Sequence, residues 1–568
     1  MKTVHLKNVV SGGIAVGRVF VPKKVDLRAD TRLISDTEKN DEKARFKAAL
    51  DGAVAEIELL AKDNEILLAH AEMAQSDTII DGVFAKIMDE NKNAQMALSE
   101  TSIEVQALFL SLDDEYLRQR VDDIRDICKR IMSHLKGVSL DVFSAAEPNS
   151  IVVTDDLVPS DTAVMDFNKI KGFITRMGGA TSHVSIIAKN LGIPAVVGMS
   201  NIFEMVQHGD SIILNTQDKV LTIDPSEDDL KAAIGRAEHL ESLYEEMKAQ
   251  AHLPAETMDG YKVDLFANAG SVADVKKAME NHACGIGLFR TEFLYMESTG
   301  HFPTEDDQFQ VYKEIANIAE GRPVVIRTLD IGGDKGLPYY QFPKEENPFL
   351  GWRAIRVSLE LNDMFKAQLR AILRASAFGK LQIMYPMIIS VKELDMANAV
   401  LKCCMDELRA EGTSFDERID VGIMIETPAA VLIAEELAQK SDFFSIGTND
   451  LTQYMLAVDR GNEKIADLYD SFHPAVLRAI KMTIDAGHKY GKPVSMCGEL
   501  SGEPKALPLL LGLGLTKFSM SSGSLGNIKF KIRKTNSSEA KQLAQKTLIT
   551  TDIDDIMAAL DDFGRNYD

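Results

Sequence analysis

The chain has 568 residues, a formal net charge of -23 at pH 7, and 45% hydrophobic and 26% charged residues. So long a chain exceeds a single hydrophobic core and implies about three or four domains of ordinary soluble composition. The acidic balance argues against nucleic-acid binding and leaves basic partners or plain solubility as its meaning. No apolar run approaches the ~20 residues of a membrane span, so membrane insertion is not expected. Met1-Lys2-Thr3-Val4-His5-Leu6 lacks a signal-peptide core, and the five cysteines (Cys128, Cys284, Cys403, Cys404, Cys497) have neither metal-ligand nor disulfide spacing. A cytoplasmic protein with reduced thiols is the expectation.

In chain order, a Gly12-Gly13 turn precedes a strand-like Val16–Phe20 segment. Residues 36–136 are strongly charged and helical in pattern, with helices predicted at 38–63, 77–90, 93–108 and 113–135, most simply a small bundle. After Pro148 short β-rich runs at 150–153, 172–175, 195–197, 211–214 and 220–223 alternate with helical stretches. They predict a compact α/β unit that the N-terminal strand joins, with the bundle inserted between. Residues 227–250 read as a helical linker, and a helix of ~24 residues extends ~36 Å. Strand-like cores then recur at 263–267, 285–289, 324–328, 381–385, 422–425, 443–446, 494–496 and 517–520, most followed by helical periodicity. That alternation predicts a (β/α)8 barrel. The whole reads as a multidomain α/β protein: 1–20 plus 146–228 as the α/β unit, 21–145 as the helical insertion, 229–254 as linker and 255–568 as barrel.

Gly178-Gly179-Ala180-Thr181-Ser182-His183 leads from the predicted strand at 172–175 into a helical pattern of Val184, Ile187, Ala188 and Leu191. A helix N-terminus offers free N–H groups and a favourable dipole to an anion. A neutral imidazole held there is placed to attack phosphorus, although taken alone the segment reads more simply as a capping turn with an incidental His. In a (β/α)8 barrel the chemistry sits at the C-terminal ends of the strands. Those ends deliver Arg290, Arg327, Glu426, Asn449, Asp450, Arg460 and Cys497, with Arg353 between strands three and four. Singly, each charge reads as a solvated or paired surface group. Together, the four guanidinium forks suit phosphate and carboxylate, and Glu426 with Asp450 suit Mg²⁺. Cys497 reads either as a small buried hydrophobe or as a proton donor.

Five segments carry a resemblance: 178–198 around His183, 287–296 (GLFRTEFLYM), 327–335 (RTLDIGGDK), 347–353 (NPFLGWR) and 445–454 (SIGTNDLTQY), with 113–126 matching a helical subdomain. Over essentially its full length the chain resembles the enzyme I family of bacterial phosphoenolpyruvate:sugar phosphotransferase systems. The resemblance implies that His183 is phosphorylated at Nε2 and that 1–20 plus 146–228 form the swivelling phosphohistidine domain. It implies that Arg290, Arg327 and Arg460 bind phosphoenolpyruvate, with Asn449 and Asp450 in contact. It further implies that Glu426 and Asp450 hold Mg²⁺ and that Cys497 protonates the enolate to pyruvate. The helical insertion would bind the phosphocarrier HPr, and the barrel would form a homodimer.

The sequence departs from that family at Ala180, where Arg is usual, at Val158-Pro159-Ser160, at Gly12 and in the last barrel loop, 521–526. A phosphoenolpyruvate synthase or dikinase and a catalytically weak regulatory paralogue are the alternatives. The first would need a large nucleotide-binding domain ahead of His183, for which the charged helical segment is too short.

Overall fold

A computed structural model describes residues 1–565 apart from 24, 62–64, 111–120, 158–160, 163, 179–187, 189–191, 299, 334, 338 and 463, and apart from the side chains of 65–69, 110 and 122. The chain forms two compact units, residues 1–243 and 244–568.

The first unit is organised on an eight-stranded sheet of β1 (Lys2–His5), β2 (Val9–Ser11), β3 (Ile14–Phe20), β4 (Ser150–Thr154), β5 (Ile170–Thr175), β6 (Ala195–Val196), β7 (Ser211–Asn215) and β8 (Val220–Ile223), in the order β1-β8-β7-β3-β4-β5-β6-β2. β3 to β6 run parallel, and β7 pairs antiparallel with β3 and β8. β3 lies directly beside β4, with Arg18 opposite Ser150. The helices between those two strands are therefore an insertion into a continuous sheet.

They are α1 (Lys39–Ala61), α2 (Glu65–Ala74), α3 (Asp77–Glu90), α4 (Ala94–Leu110) and α5 (Val121–Lys136). In α1 the buried positions Phe46, Ala49, Leu50, Ala53 and Ile57 follow the i, i+3, i+4, i+7 rule of an amphipathic helix. They pack into one apolar core with Val83, Ile87, Leu98, Ile127 and Ile131. The sequence reading misses α2. Its run Glu-Ile-Leu-Leu-Ala-His-Ala-Glu-Met-Ala is apolar on most faces, so no single stripe marks it as a helix. Residues 113–120 of the predicted fourth helix lie outside the described residues.

Helix α6 (Glu227–Gln250) has 24 residues, of which only Ala233 is buried. Three acidic residues, Glu227, Asp228 and Asp229, fill its first turn and complement the helix dipole.

The second unit is a closed barrel of eight parallel strands: β9 (Asp264–Ala269), β10 (Ile286–Arg290), β11 (Val324–Arg327), β12 (Leu381–Tyr385), β13 (Asp420–Ile425), β14 (Phe444–Ile446), β15 (Val494–Met496) and β16 (Lys517–Ser521), with β16 closing on β9. Strand side chains alternate between the two faces. Ile326, Ile383, Ile425 and Ile446 belong to the large core between barrel and helices. Their neighbours Val325, Met384, Met424 and Cys497 form, with Leu288 and Phe443, a separate apolar plug inside the barrel. The same alternation carries Arg327 inward two residues above Val325, and Glu426 inward two residues above Met424. One rule of geometry thus delivers both the plug and the polar groups on top of it.

Candidate active site

The C-terminal rim of the barrel is where the sequence-predicted residues meet. β10 ends on Arg290 and β11 on Arg327; β13 is followed by Glu426 and β15 by Cys497. β14 is followed by Gly447, which caps the helix Thr448–Leu456 that carries Asn449 and Asp450.

Arg327 is 5% exposed and Arg353 2%. Neither is a free cation. Arg327 pairs with Glu292 and, at 3.2 Å, with Asp330. Arg353 donates to both oxygens of Asp330 at 3.0 and 3.2 Å, to Asp450 at 3.5 Å and to the Tyr454 hydroxyl at 2.9 Å. Lys335 bridges the same acids, 3.1 Å from Glu292 and 3.3 Å from Asp330. Burial works against the charges of Arg327, Arg353 and Asp330, but the paired cations hold the Asp330 carboxyl well below the usual carboxylate range.

Local backbone features set up this lattice. Gly332 has φ +99°, and a Cβ there would stand 2.6 Å from the Trp352 carbonyl oxygen. Only glycine lets the 330–335 turn lie against 352–353, which brings Asp330 to Arg353. Ala354 (φ +53°) and Met387 (φ +58°) occupy the left-handed half of backbone space that side chains disfavour. The Ala354 N–H donates to the Ile331 carbonyl at 2.9 Å, and the Met387 N–H donates to Glu426 at 2.6 Å. Both strained residues therefore hold the site in place.

Glu426 and Asp450 are the acids left incomplete. Glu426 is 1% exposed and its Oε2 has no hydrogen-bond partner; the same holds for Oδ1 of Asp450. Burial first, then the nearby Asp450 and Asp330 carboxylates, push the Glu426 carboxyl up from its ordinary value. Two buried hard oxygens with no donor fit a divalent cation that takes one or two carboxylates and completes its shell with substrate and water. Among the described residues no group of three or more His, Cys, Asp or Glu is placed to enclose a metal. Any such ion would therefore be partly substrate-bound.

The other side of the rim is open. A cavity of about 450 Å³ is lined by Arg290, Asn268, Cys497, Gly498 and Glu499. Arg290 is exposed there, and Cys497 forms the floor at 3% exposure. The Ser445 hydroxyl donates to the sulfur at 3.2 Å. Burial pushes the Cys497 thiol up against the opposing influence of Ser445 and Arg327, so the sulfur keeps its proton at neutral pH. Asn449 and Glu499 bind each other twice, side chain to side chain at 3.1 Å and Glu499 N–H to Asn449 Oδ1 at 3.0 Å. Arg460 is exposed, and its backbone N–H donates to Gln453 at 3.1 Å. Burial pushes the nearby Tyr469 hydroxyl up against the opposing charge of Arg460, and that hydroxyl donates to the Asn449 carbonyl at 2.9 Å.

Models of the PEP-utilising enzymes match three stretches of the chain: the PEP-binding domain over residues 244–537, the mobile domain over 146–219 and the N-terminal domain over 8–120. The chain is 43% identical over 560 residues to the phosphoenolpyruvate-protein phosphotransferase of Geobacillus stearothermophilus, covering 96% of each chain. It is 44% identical over 554 residues to that of Haemophilus influenzae (95% of each) and 42% identical over 561 residues to that of Bacillus subtilis (96% of this chain, 97% of the other). The chain belongs to the phosphoenolpyruvate-protein phosphotransferase family.

All the barrel residues singled out from sequence come to one rim: Arg327, Arg353 and Asp450 in the lattice, Glu426 buried near it, Arg290 and Cys497 at the cavity, Asn449 and Arg460 on the helix Thr448–Leu456 and just beyond it. His183 and Ala180, the altered Val158-Pro159-Ser160 and Asp113–Leu117 lie outside the described residues. Sequence reasoning gave no role to Glu292, Asp330 and Lys335, the counter-charges of the arginines, or to Tyr454 and Tyr469. The signal was available for the first three, because acids and a lysine that follow β10 and β11 sit at the same strand ends as the arginines. Tyr454 lies on the Thr448–Leu456 helix and in the 445–454 segment already singled out, so it too could have been marked, whereas Tyr469 comes from a loop and left no such signal.

Proposed function

We propose that the protein takes the phosphoryl group of phosphoenolpyruvate onto its own His183 and passes it to a histidine of an HPr-like carrier, releasing pyruvate. The observation that carries this reading is the pairing, on one barrel rim, of a buried guanidinium lattice with a buried, protonated Cys497 thiol beneath an open cavity. Family membership supports the same reading.

Phosphoryl transfer asks the protein for positioning and charge neutralisation more than for covalent chemistry. Arg327 and Arg353 are locked in place before substrate arrives, so their charge stabilises the transition state without reorganisation. Arg290, exposed at the cavity, and Arg460 are free to close on the phosphate and carboxylate. Nε2 of His183 attacks phosphorus, the P–O bond to the enol oxygen breaks, and the enolate is left behind. The Cys497 thiol gives its proton to the methylene carbon, forming pyruvate, and the thiolate regains a proton from solvent. Glu426 and Asp450 would hold Mg²⁺, which neutralises charge on the substrate oxygens when bound.

We assign the carrier to the helical insertion, whose acidic surface would steer a basic partner. The barrel unit is the proposed homodimer contact and the cytoplasm the proposed compartment. Among the described residues no helix is long and apolar enough to cross a membrane.

The test is incubation of the protein and Mg²⁺ with phosphoenolpyruvate labelled on phosphorus. Acid-labile label should appear on the parent protein and be absent from His183→Ala, and an added HPr should carry it away. A parent protein that takes no label overturns the reading. Label taken from ATP would instead select a dikinase-like enzyme.

A further inference from the structure

The barrel has a second opening, at its N-terminal end, with a cavity of about 460 Å³. Each of the eight strands contributes a residue to its wall, so it is the lower mouth of the barrel itself. In (β/α)8 barrels the inward layers are ordinarily packed with bulky branched side chains. Here Gly287, Gln382, Ser495 and Lys517 occupy that level and the layer stays open. Val325 and Phe443 form its roof, and both belong to the apolar plug that separates this mouth from Cys497. The space is therefore distinct from the phosphoryl-transfer site.

Its charges are unusual in arrangement. Asp420, Asp442, Lys492 and Lys517 all line the one cavity. Among the described residues none of the four forms an ion pair, with each other or with anything else. The two acids are held by neutral donors: Asp420 accepts from the Gln382 amide at 2.7 Å, and Asp442 from the Val421 N–H at 2.9 Å. The Lys517 ammonium lies 5.9 Å from the centre of the Phe266 ring. Opposite charges in a partly enclosed space attract one another more strongly than in bulk water. Two acids and two ammonium groups held apart around an apolar roof are complementary to a ligand that carries both signs itself.

We propose that the N-terminal mouth binds a small zwitterion with a large apolar side chain, an α-amino acid of the aromatic class. Its carboxylate meets Lys492 and Lys517, its ammonium meets Asp420 and Asp442, and its side chain rests on Val325 and Phe443. A pocket of this volume is in the range that encloses such a molecule, since small-molecule sites run from roughly 300 to 1,000 Å³.

The probe is 4-fluoro-L-phenylalanine, followed by ¹⁹F NMR on the full-length protein. Two half-charged analogues, 4-fluorophenylacetate and 4-fluorophenethylamine, share its ring. Saturable broadening by the amino acid is expected, with affinity at least about tenfold above both analogues and unaffected by phosphoenolpyruvate. The double variant K492M/K517M should lose at least about tenfold in affinity for the amino acid and none for the amine, and should keep its turnover of phosphoenolpyruvate. Absence of saturation, equal binding of all three probes, or displacement by phosphoenolpyruvate overturns the proposal. The three-probe series on the unaltered protein decides independently of whether the variant folds.

Discussion

Around the C-terminal rim of the barrel, the side built from β10, β11 and the 330–353 segment is filled with charges that already hold one another. The side built from β9, β15, β16 and the Arg290 end of β10 is an open cavity with a buried thiol in its floor. On the first side three cations, Arg327, Arg353 and Lys335, face Glu292, Asp330 and Asp450 at hydrogen-bonding distances. On the second, Arg290 and Arg460 are exposed. The difference separates two tasks. A fixed lattice keeps its field in place whether or not a ligand is present, whereas exposed cations have room to turn toward an arriving anion. A site made wholly of the first kind would bind slowly. One made wholly of the second would spend binding energy on reorganisation.

Breaking the fixed side should have the larger effect. Arg353→Met leaves Asp330 and Asp450 buried with less counter-charge, and breaking a buried pair in this way costs ~3–5 kcal/mol. Pyruvate release should fall by on the order of 10³-fold, and calorimetry should show a lowered melting temperature. Near-normal turnover would mean that the lattice is only structural. Cys497→Ala tests the open side. It should slow pyruvate formation by roughly 10²-fold, while the melting temperature moves little, because one small buried group replaces another.

The raised thiol of Cys497 gives a smaller and more direct readout. Its ordinary value is 9.0 and burial moves it upward, so the thiolate fraction is depressed at every pH below that range. Alkylation at pH 8, followed by peptide mass spectrometry, should be at least about tenfold slower at Cys497 than at the exposed Cys284 and Cys403. As a proton donor the thiol should stay competent through mildly alkaline pH, and the alkaline fall in turnover should sit above the ordinary thiol range. Asn449→Ala removes two hydrogen bonds to Glu499 at the edge of the cavity, each worth ~1 kcal/mol, and should cost up to about thirtyfold in kcat/KM. A loss as large as that of Arg353→Met would erase the contrast between the two sides.

Much of this rim could be read from sequence because of strand alternation. Once β11 and β13 are recognised, Val325 and Arg327, then Met424 and Glu426, must share the inner face, and the predicted strands at 324–328 and 422–425 overlap the observed ones. Local order was also legible in α1, where Phe46, Leu50 and Ile57 repeat at helical spacing. Three kinds of feature were not. α2 lacks a polar face to set its period. The strand order of the first sheet depends on pairings between distant segments, such as Lys2 with Ile223, that no local pattern encodes. The partners of Arg353 depend on a left-handed turn at Gly332 and strained backbone at Ala354, and sequence names the glycine without saying what it allows to approach.

Helix α6 has a thermodynamic consequence of its own. With only Ala233 fully buried among 24 residues and Leu230, Leu240, Leu243 and Met247 half-buried, it draws less from tertiary packing than the helices of either core. Much of its persistence rests on backbone hydrogen bonds, on the acidic first turn, and on exposed contacts such as Lys248 with Glu245 at 3.4 Å and Arg236 with Asp218 at 3.1 Å. Those terms are weak, screened by salt and lost gradually on warming, as in any solvated helix–coil equilibrium. The stiffness of this helix, in which one unit ends at Leu243 and the other begins, thus responds to ionic strength and temperature more than that of a core helix does. Heating the protein should give two cooperative transitions joined by one gradual one.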